Sequence, residues 1–287
     1  MKVLVIGGTG TVGSQVAREL LRRGAEVSVL TRSAEKAAKV PRGIRGVTGD
    51  LLDPKTVRTV FTGQEGVFLL NPVSATEAHE GLMAVNGARM AGVQRLAYLS
   101  VHHVDDAPHL PHFGSKIAVE IALKASGIPL TILRPNHYYQ NDYWLKDALL
   151  KFGVYAQPIG AVGVSRVDVR DIAEAAAIAL TAGGHEGQTY NLVGPQLWTG
   201  TGAAEAWGRA LGKSIAYAGD DLDAWEAQSL QYLPPWMVFD LRLMFAFFQK
   251  NGLKATAADV DRLTKLLGHA PRSFETFAAE TAGAWRA

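Results

Sequence analysis

The stretch Gly7-Gly8-Thr9-Gly10-Thr11-Val12-Gly13 constrains this chain more than any other. It follows Met-Lys-Val-Leu-Val-Ile, an apolar run of strand length. It opens a segment where Val12, Val16, Leu20 and Leu21 recur at helical spacing before Arg22, Arg23 and Gly24 end it. Glycines at i, i+3 and i+6 between a strand and a helix have separate uses. The first permits a tight turn, the second lets backbone approach a pyrophosphate, and the third lets helix pack on strand. Free N–H groups and the helix dipole then favour the anion. The reading is a dinucleotide site in which Gly7, Thr9, Gly10, Thr11, Val12 and Gly13 hold the phosphates. The alternative is a turn serving chain reversal alone.

The rest of the first half repeats that strand-to-helix unit. Runs rich in Val, Ile and Leu at 2–6, 26–30, 45–48, 66–70, 95–100 and 130–134 alternate with helical patterns, as βαβ units of a parallel sheet do. Helices are expected at 118–123 and 173–180 and one more strand at 189–193. Beyond about residue 200 strand patterns largely stop and aromatic-rich helical patterns follow. The expectation is an α/β, Rossmann-type doubly wound sheet. Residues 1–287 form a single NAD(P)-binding domain, with a small, mainly helical substrate cap from about residue 200, since no linker or repeat separates the two parts.

The second strand bears on which dinucleotide fits. An NAD-specific fold places an acidic residue near its end to accept from the ribose 2′-hydroxyl. Here stand Thr31, Arg32 and Ser33, and a cation with hydroxyls suits a 2′-phosphate, so NADP(H) is the expected cofactor. Arg32 is otherwise a solvated surface arginine. Asp50 and Leu51 follow the third strand and are placed near the adenine, with a helix N-cap as the bland reading of Asp50. Asn71, after the fourth strand, joins the cofactor set.

Composition closes off other classes. With 29 basic and 27 acidic residues mixed along 287, no polycationic stretch suggests nucleic acid. The absence of cysteine excludes disulfides and thiolate chemistry. The N-terminal apolar run is too short for a signal core or membrane span, so a cytoplasmic protein without a membrane partner is expected. His102, His103, His109 and His112 with Asp105 and Asp106 match no metal spacing, and no metal is expected. Gly212-Lys213-Ser214 lacks the earlier glycine of a P-loop and reads as a helix end. No Gly-x-Ser-x-Gly elbow or His-Glu-x-x-His helix supports a hydrolase.

Taken in order, the glycine turn, Tyr98-Leu99-Ser100, His112-Phe113-Gly114-Ser115-Lys116, Thr131-Ile132-Leu133-Arg134-Pro135, Val167-Asp168-Val169-Arg170-Asp171-Ile172-Ala173 and Tyr190-Asn191-Leu192-Val193-Gly194-Pro195 resemble the NmrA-like branch of the atypical short-chain dehydrogenases. The likeness covers almost the whole chain. It implies the sheet order, a preference for NADP(H) and a substrate cleft between the sheet's carboxyl edge and the cap. It also implies that Lys116 holds the nicotinamide ribose. In the wider family a tyrosine four residues before that lysine passes a proton to substrate, and here His112 stands in its place.

That departure shapes the expected chemistry. Hydride transfer to an ordinary ketone develops an alkoxide that needs a donor, whereas quinones, azo compounds, imines and cationic dyes delocalise or neutralise the incoming charge. The resemblance therefore points to an NADPH-dependent reductase of conjugated acceptors acting on a small aromatic substrate, as a monomer or homodimer. The alternative is a catalytically silent NADP(H)-sensing binder that signals redox state to a protein partner. His112, His137 and Tyr138 are candidate donors beside Lys116. Pro135 and Asn136, ending the sixth strand, face the nicotinamide. Tyr139, Trp225 and Trp236 are the substrate-side candidates, with apolar packing as the alternative for each.

Overall fold

The computed structural model describes residues 1–286, which group into two compact units. The first comprises Met1–Pro135 and Val169–Asn191. Its strands are β1 (Lys2–Ile6), β2 (Glu26–Thr31), β3 (Ile44–Thr48), β4 (Gly66–Leu69), β5 (Arg95–Leu99) and β6 (Leu130–Pro135). After β7 (Val154–Tyr155) of the second unit, the chain returns through β8 (Thr189–Leu192). The sheet runs β3-β2-β1-β4-β5-β6-β8, with β1 to β6 paired in parallel. The order reverses between β1 and β4, the switch point at which open α/β sheets bind ligands outside their carboxyl ends. Each expected strand is present to within a residue or so.

Parallel strands covered on both faces need apolar side chains on both, and Val3, Leu4, Val5, Val67, Phe68 and Leu69 are fully buried. Helix α1 (Thr11–Arg22) buries Val12, Val16, Ala17 and Leu20 as one stripe. It packs beside α6 (Val169–Thr181), whose alanines permit a close approach. Helices α2 (Ala34–Ala38), α3 (Pro54–Val60), α4 (Glu77–Met90) and α5 (Pro111–Ala125) complete the unit between α1 and α6. Phe61, Val85, Ala88, Val119 and Leu123 pack against the β1, β4 and β5 side chains in one core. The helix expected at 118–123 is thus the second half of a longer one.

The second unit comprises Asn136–Asp168 and the chain from Leu192 onward. It begins with a 3-10 turn (Tyr139–Leu145) and a π turn (Ala148–Phe152). Strand β7 pairs in parallel with β9 (Ala216–Tyr217). Helices α7 (Gly200–Leu211), α8 (Leu222–Ser229), α9 (Pro235–Asn251), α10 (Ala257–Leu267) and α11 (Phe274–Arg286) supply the rest. The stretch from 200 is mainly helical as expected, β9 apart, and Gly212 ends α7 in the left-handed conformation. The share taken by residues 136–168 has no counterpart in the periodicity of the sequence. Among the described residues no helix is long and apolar enough to cross a membrane.

Candidate functional site

The glycine turn closes at the carboxyl end of β1, where the Gly10 amide donates to the Gly7 carbonyl at 3.0 Å. At Gly13 the helix lies so close to the strand end that a Cβ would stand 2.2 Å from the Gly7 oxygen, which only glycine tolerates. Gly10 is different: an added Cβ would meet only that oxygen, at 3.4 Å. Packing does not demand glycine there, and the space beyond it stays open. Gly10 is the N-cap of α1 and offers no side-chain cap, and the first turn carries no acid. The positive end of the helix dipole and its first N–H groups are left for an anion.

Thr31 ends β2 and accepts from the Ser33 amide, and Ser33 caps α2 through the Lys36 amide. Arg32 is exposed between them, and among the described residues no carboxylate pairs with it. The Gly49 amide donates to the Thr31 carbonyl, bringing Asp50 and Leu51 beside this strand end. Asp50 accepts from the Leu52 amide, whereas the N-cap of α3 is Asp53, holding the Lys55 and Thr56 amides. This replaces the N-cap reading of Asp50. Asn71, past the end of β4, is 1% exposed, and both its amide atoms are buried without a hydrogen-bond partner. An unpaired buried amide is costly, and a polar ligand would satisfy it.

One face of α5 carries the family lysine. His112, Lys116, Val119, Glu120 and Leu123 form its buried stripe, with His112 edge-on to Phe113. His112 and Lys116 are therefore not surface residues. The Lys116 ammonium donates to Glu77 of α4 at 2.7 Å, with side-chain exposures of 8% and 1%. Glu120 receives Arg134 and Lys124; burial pushes its carboxyl up, but these bonds, led by Arg134, outweigh that and hold it below the usual range. Burial first, then the charges of Glu77 and Glu120, push the Tyr98 hydroxyl well up and keep it neutral. Glu77 was not legible in the sequence, because its partner lies 39 residues away on another helix. The nearby histidine-rich loop is engaged otherwise, His103 with Asp106 and Asp105 with Arg134.

In the second unit the residues after β6 are held in place. Asn136 donates to the Leu253 carbonyl and accepts from the His137 amide, so its side chain is committed to backbone. His137 lies edge-on to Phe248, and its Nδ1 is closed off without a partner. Burial, then the Arg166 charge, push it well below its ordinary value, so the ring is neutral at neutral pH. The Tyr138 carbonyl accepts from Arg166. Tyr139 is wholly buried against Phe274 and Phe277 and donates to the Arg272 carbonyl, which is the packing alternative. Trp225 stands edge-on to Phe245, while Trp236 is 41% exposed.

The second unit also holds a fully buried ion pair of which the sequence alone gives no sign. Arg166 and Asp142 are both 0% exposed and meet through two bonds of 2.7 and 3.1 Å. Trp207 and Gln157 donate to the same carboxylate, and the guanidinium lies 4.8 Å from the Phe274 ring. Pairing outweighs burial and raises the Arg166 pKa, so the charge stays. A lone arginine and a lone aspartate 24 residues apart carry no motif.

Known proteins resemble this chain over nearly its whole length. The model of the NmrA-like family matches residues 1–278. An NAD(P)H azoreductase of Xenophilus azovorans is 30% identical over 289 residues, covering 99% of both chains. Two crystal structures align over nearly all of the chain. An NADPH-dependent quinone oxidoreductase of Escherichia coli complexed with NADPH has a TM-score of 0.86 at 27% identity, covering 99% of this chain and 100% of the other. Citrobacter sp. triphenylmethane reductase complexed with NADP(H) has a TM-score of 0.84 at 25% identity, covering 98% and 99%.

Proposed function

Since the chain belongs to the NmrA-like family, we propose that it is an NADPH-dependent reductase of conjugated acceptors such as quinones, azo compounds, imines or dyes. The observation that carries this is the phosphate turn: an open Gly10, an uncapped and acid-free helix N-terminus, and an unpaired arginine one strand away. Bound there, NADPH would supply the hydride. The chain's own residues do the rest. The α1 amides receive the pyrophosphate, Arg32 the 2′-phosphate, and Lys116 the nicotinamide ribose. Asn71 offers its unpaired amide to the same cofactor. With histidine in place of the family tyrosine, the acceptors that fit are those needing little help from a proton donor. The partner is a small molecule met in the cytoplasm by a monomer or homodimer.

The test is NADPH consumption at 340 nm by the purified chain with a panel of quinones, azo dyes, cyclic imines and triarylmethane dyes, with NADH run in parallel. Acceptor-dependent oxidation faster with NADPH is the expected result. Tight NADPH binding without turnover on any of them would overturn the reductase reading in favour of a redox-sensing binder.

The cofactor choice turns on Arg32. Hydrogen bonds to charged groups contribute about 1.5–3 kcal/mol, so Arg32→Ala should weaken NADPH about 10- to 150-fold and leave NADH almost untouched. Calorimetric titration with both cofactors reads this directly, and equal losses would remove the 2′-phosphate assignment.

A further inference from the structure

A buried ammonium has three donors to satisfy, and among the described residues Lys116 uses one of them, on Glu77. The Glu77 carboxylate is itself 1% exposed and sits in the first turn of α4, where the helix dipole favours its charge. What brings the two together is Gly81, one turn further along α4. A Cβ there would lie 2.4 Å from Val119, one turn beyond Lys116 on α5, and 3.2 Å from the Asn71 amide oxygen. The two helices thus cross at a contact that admits no side chain at 81, with the unpartnered Asn71 amide against it. Two unused ammonium donors and an orphaned amide in one small region point to a polar ligand.

From this juxtaposition we infer that Glu77 is the positioning residue for Lys116, fixing the long lysine stem so that its remaining donors face the nicotinamide ribose. This rests on the reading of Lys116 given above. Glu77 touches no cofactor atom in this role. Its carboxylate anchors one donor and balances the buried charge, and the α4–α5 crossing sets its reach. Glu77 should therefore affect only the half of the cofactor that Lys116 holds.

Binding to the full-length chain, measured by calorimetry, separates this from a general structural role. The probes are NADPH and adenosine 2′,5′-bisphosphate, which keeps the adenine half and lacks the nicotinamide ribose. Glu77→Gln should weaken NADPH about tenfold and leave the bisphosphate unchanged, since a charge-assisted bond is lost at the ribose alone. Lys116→Met should show the same pattern, and the double variant should be no worse than Lys116→Met. Equal weakening of both probes by Glu77→Gln, or of neither, overturns the positioning role even where Lys116→Met still behaves as expected. No selective effect of Lys116→Met removes the lysine assignment, and failure of the unaltered chain to bind either probe removes the cofactor reading; the inference falls in both cases. If the Gln variant does not fold, Glu77→Asp keeps the charge one methylene short and should give a smaller loss confined to NADPH. A loss on both probes there is equally fatal.

Discussion

Gly10→Val is expected to abolish NADPH binding while the protein stays folded. The backbone at Gly10 has φ −91° and ψ 177°, which valine adopts without strain, and a Cβ meets only the Gly7 oxygen at 3.4 Å. Loss of a glycine N-cap costs about 1 kcal/mol or less. The isopropyl group instead fills the approach to the α1 amides, so the whole effect falls on the ligand. Thermal unfolding and cofactor titration, run on the same sample, should diverge: a melting curve close to that of the parent, and no binding. Retained affinity would mean that the pyrophosphate lies elsewhere. The same experiment at Gly13 would be uninformative, because a Cβ 2.2 Å from the Gly7 oxygen forces the turn itself apart.

Asp142→Ala should lower stability by about 3–5 kcal/mol, the range for removing one partner of a buried ion pair. Arg166 would keep its charge in a site without solvent, and Trp207 and Gln157 would lose their acceptor. The orphaned guanidinium, more than the lost attraction, is the source of the cost. Replacing both residues, Asp142→Leu with Arg166→Met, should recover most of the loss, since apolar residues of similar volume can substitute for such a pair. Urea titrations of the single and double variants give the comparison. A double variant as unstable as the single would show that the pair's value lies in the carbonyls of Tyr138 and Tyr139 that Arg166 also holds.

The sheet and the glycine turn were legible in the sequence because both arise from local rules. Strands buried on two faces must be apolar throughout, and three glycines at fixed spacing have few uses between a strand and a helix. Gly212 was likewise readable as a helix end. What stayed hidden depends on contacts between distant segments. Glu77 looks like any acid in a first helical turn until α5 is laid beside it, and Gly81 gives no sign that Val119 needs its space. Asp142 lies in a 3-10 turn and Arg166 in irregular backbone, and neither carries a period to detect. Tyr139 read as ligand-facing because it follows β6, yet one residue beyond Tyr138 its ring is wholly buried in the second unit's aromatic core.

That second unit is written into the chain in two instalments, with Val169–Asn191 of the first unit between them. Asp142 and Arg166 are translated together in the earlier instalment, whereas Trp207, Phe274 and Phe277 arrive in the later one. On a ribosome, where folding proceeds from the N-terminus as synthesis continues, the charged pair has to wait in water for its aromatic cover. Water is a tolerable place for a salt bridge and a poor one for a half-built apolar core. Tyr139 and Tyr155 are made with the pair, but the rings of Trp207, Phe274 and Phe277 that close over it come only with the last third of the chain.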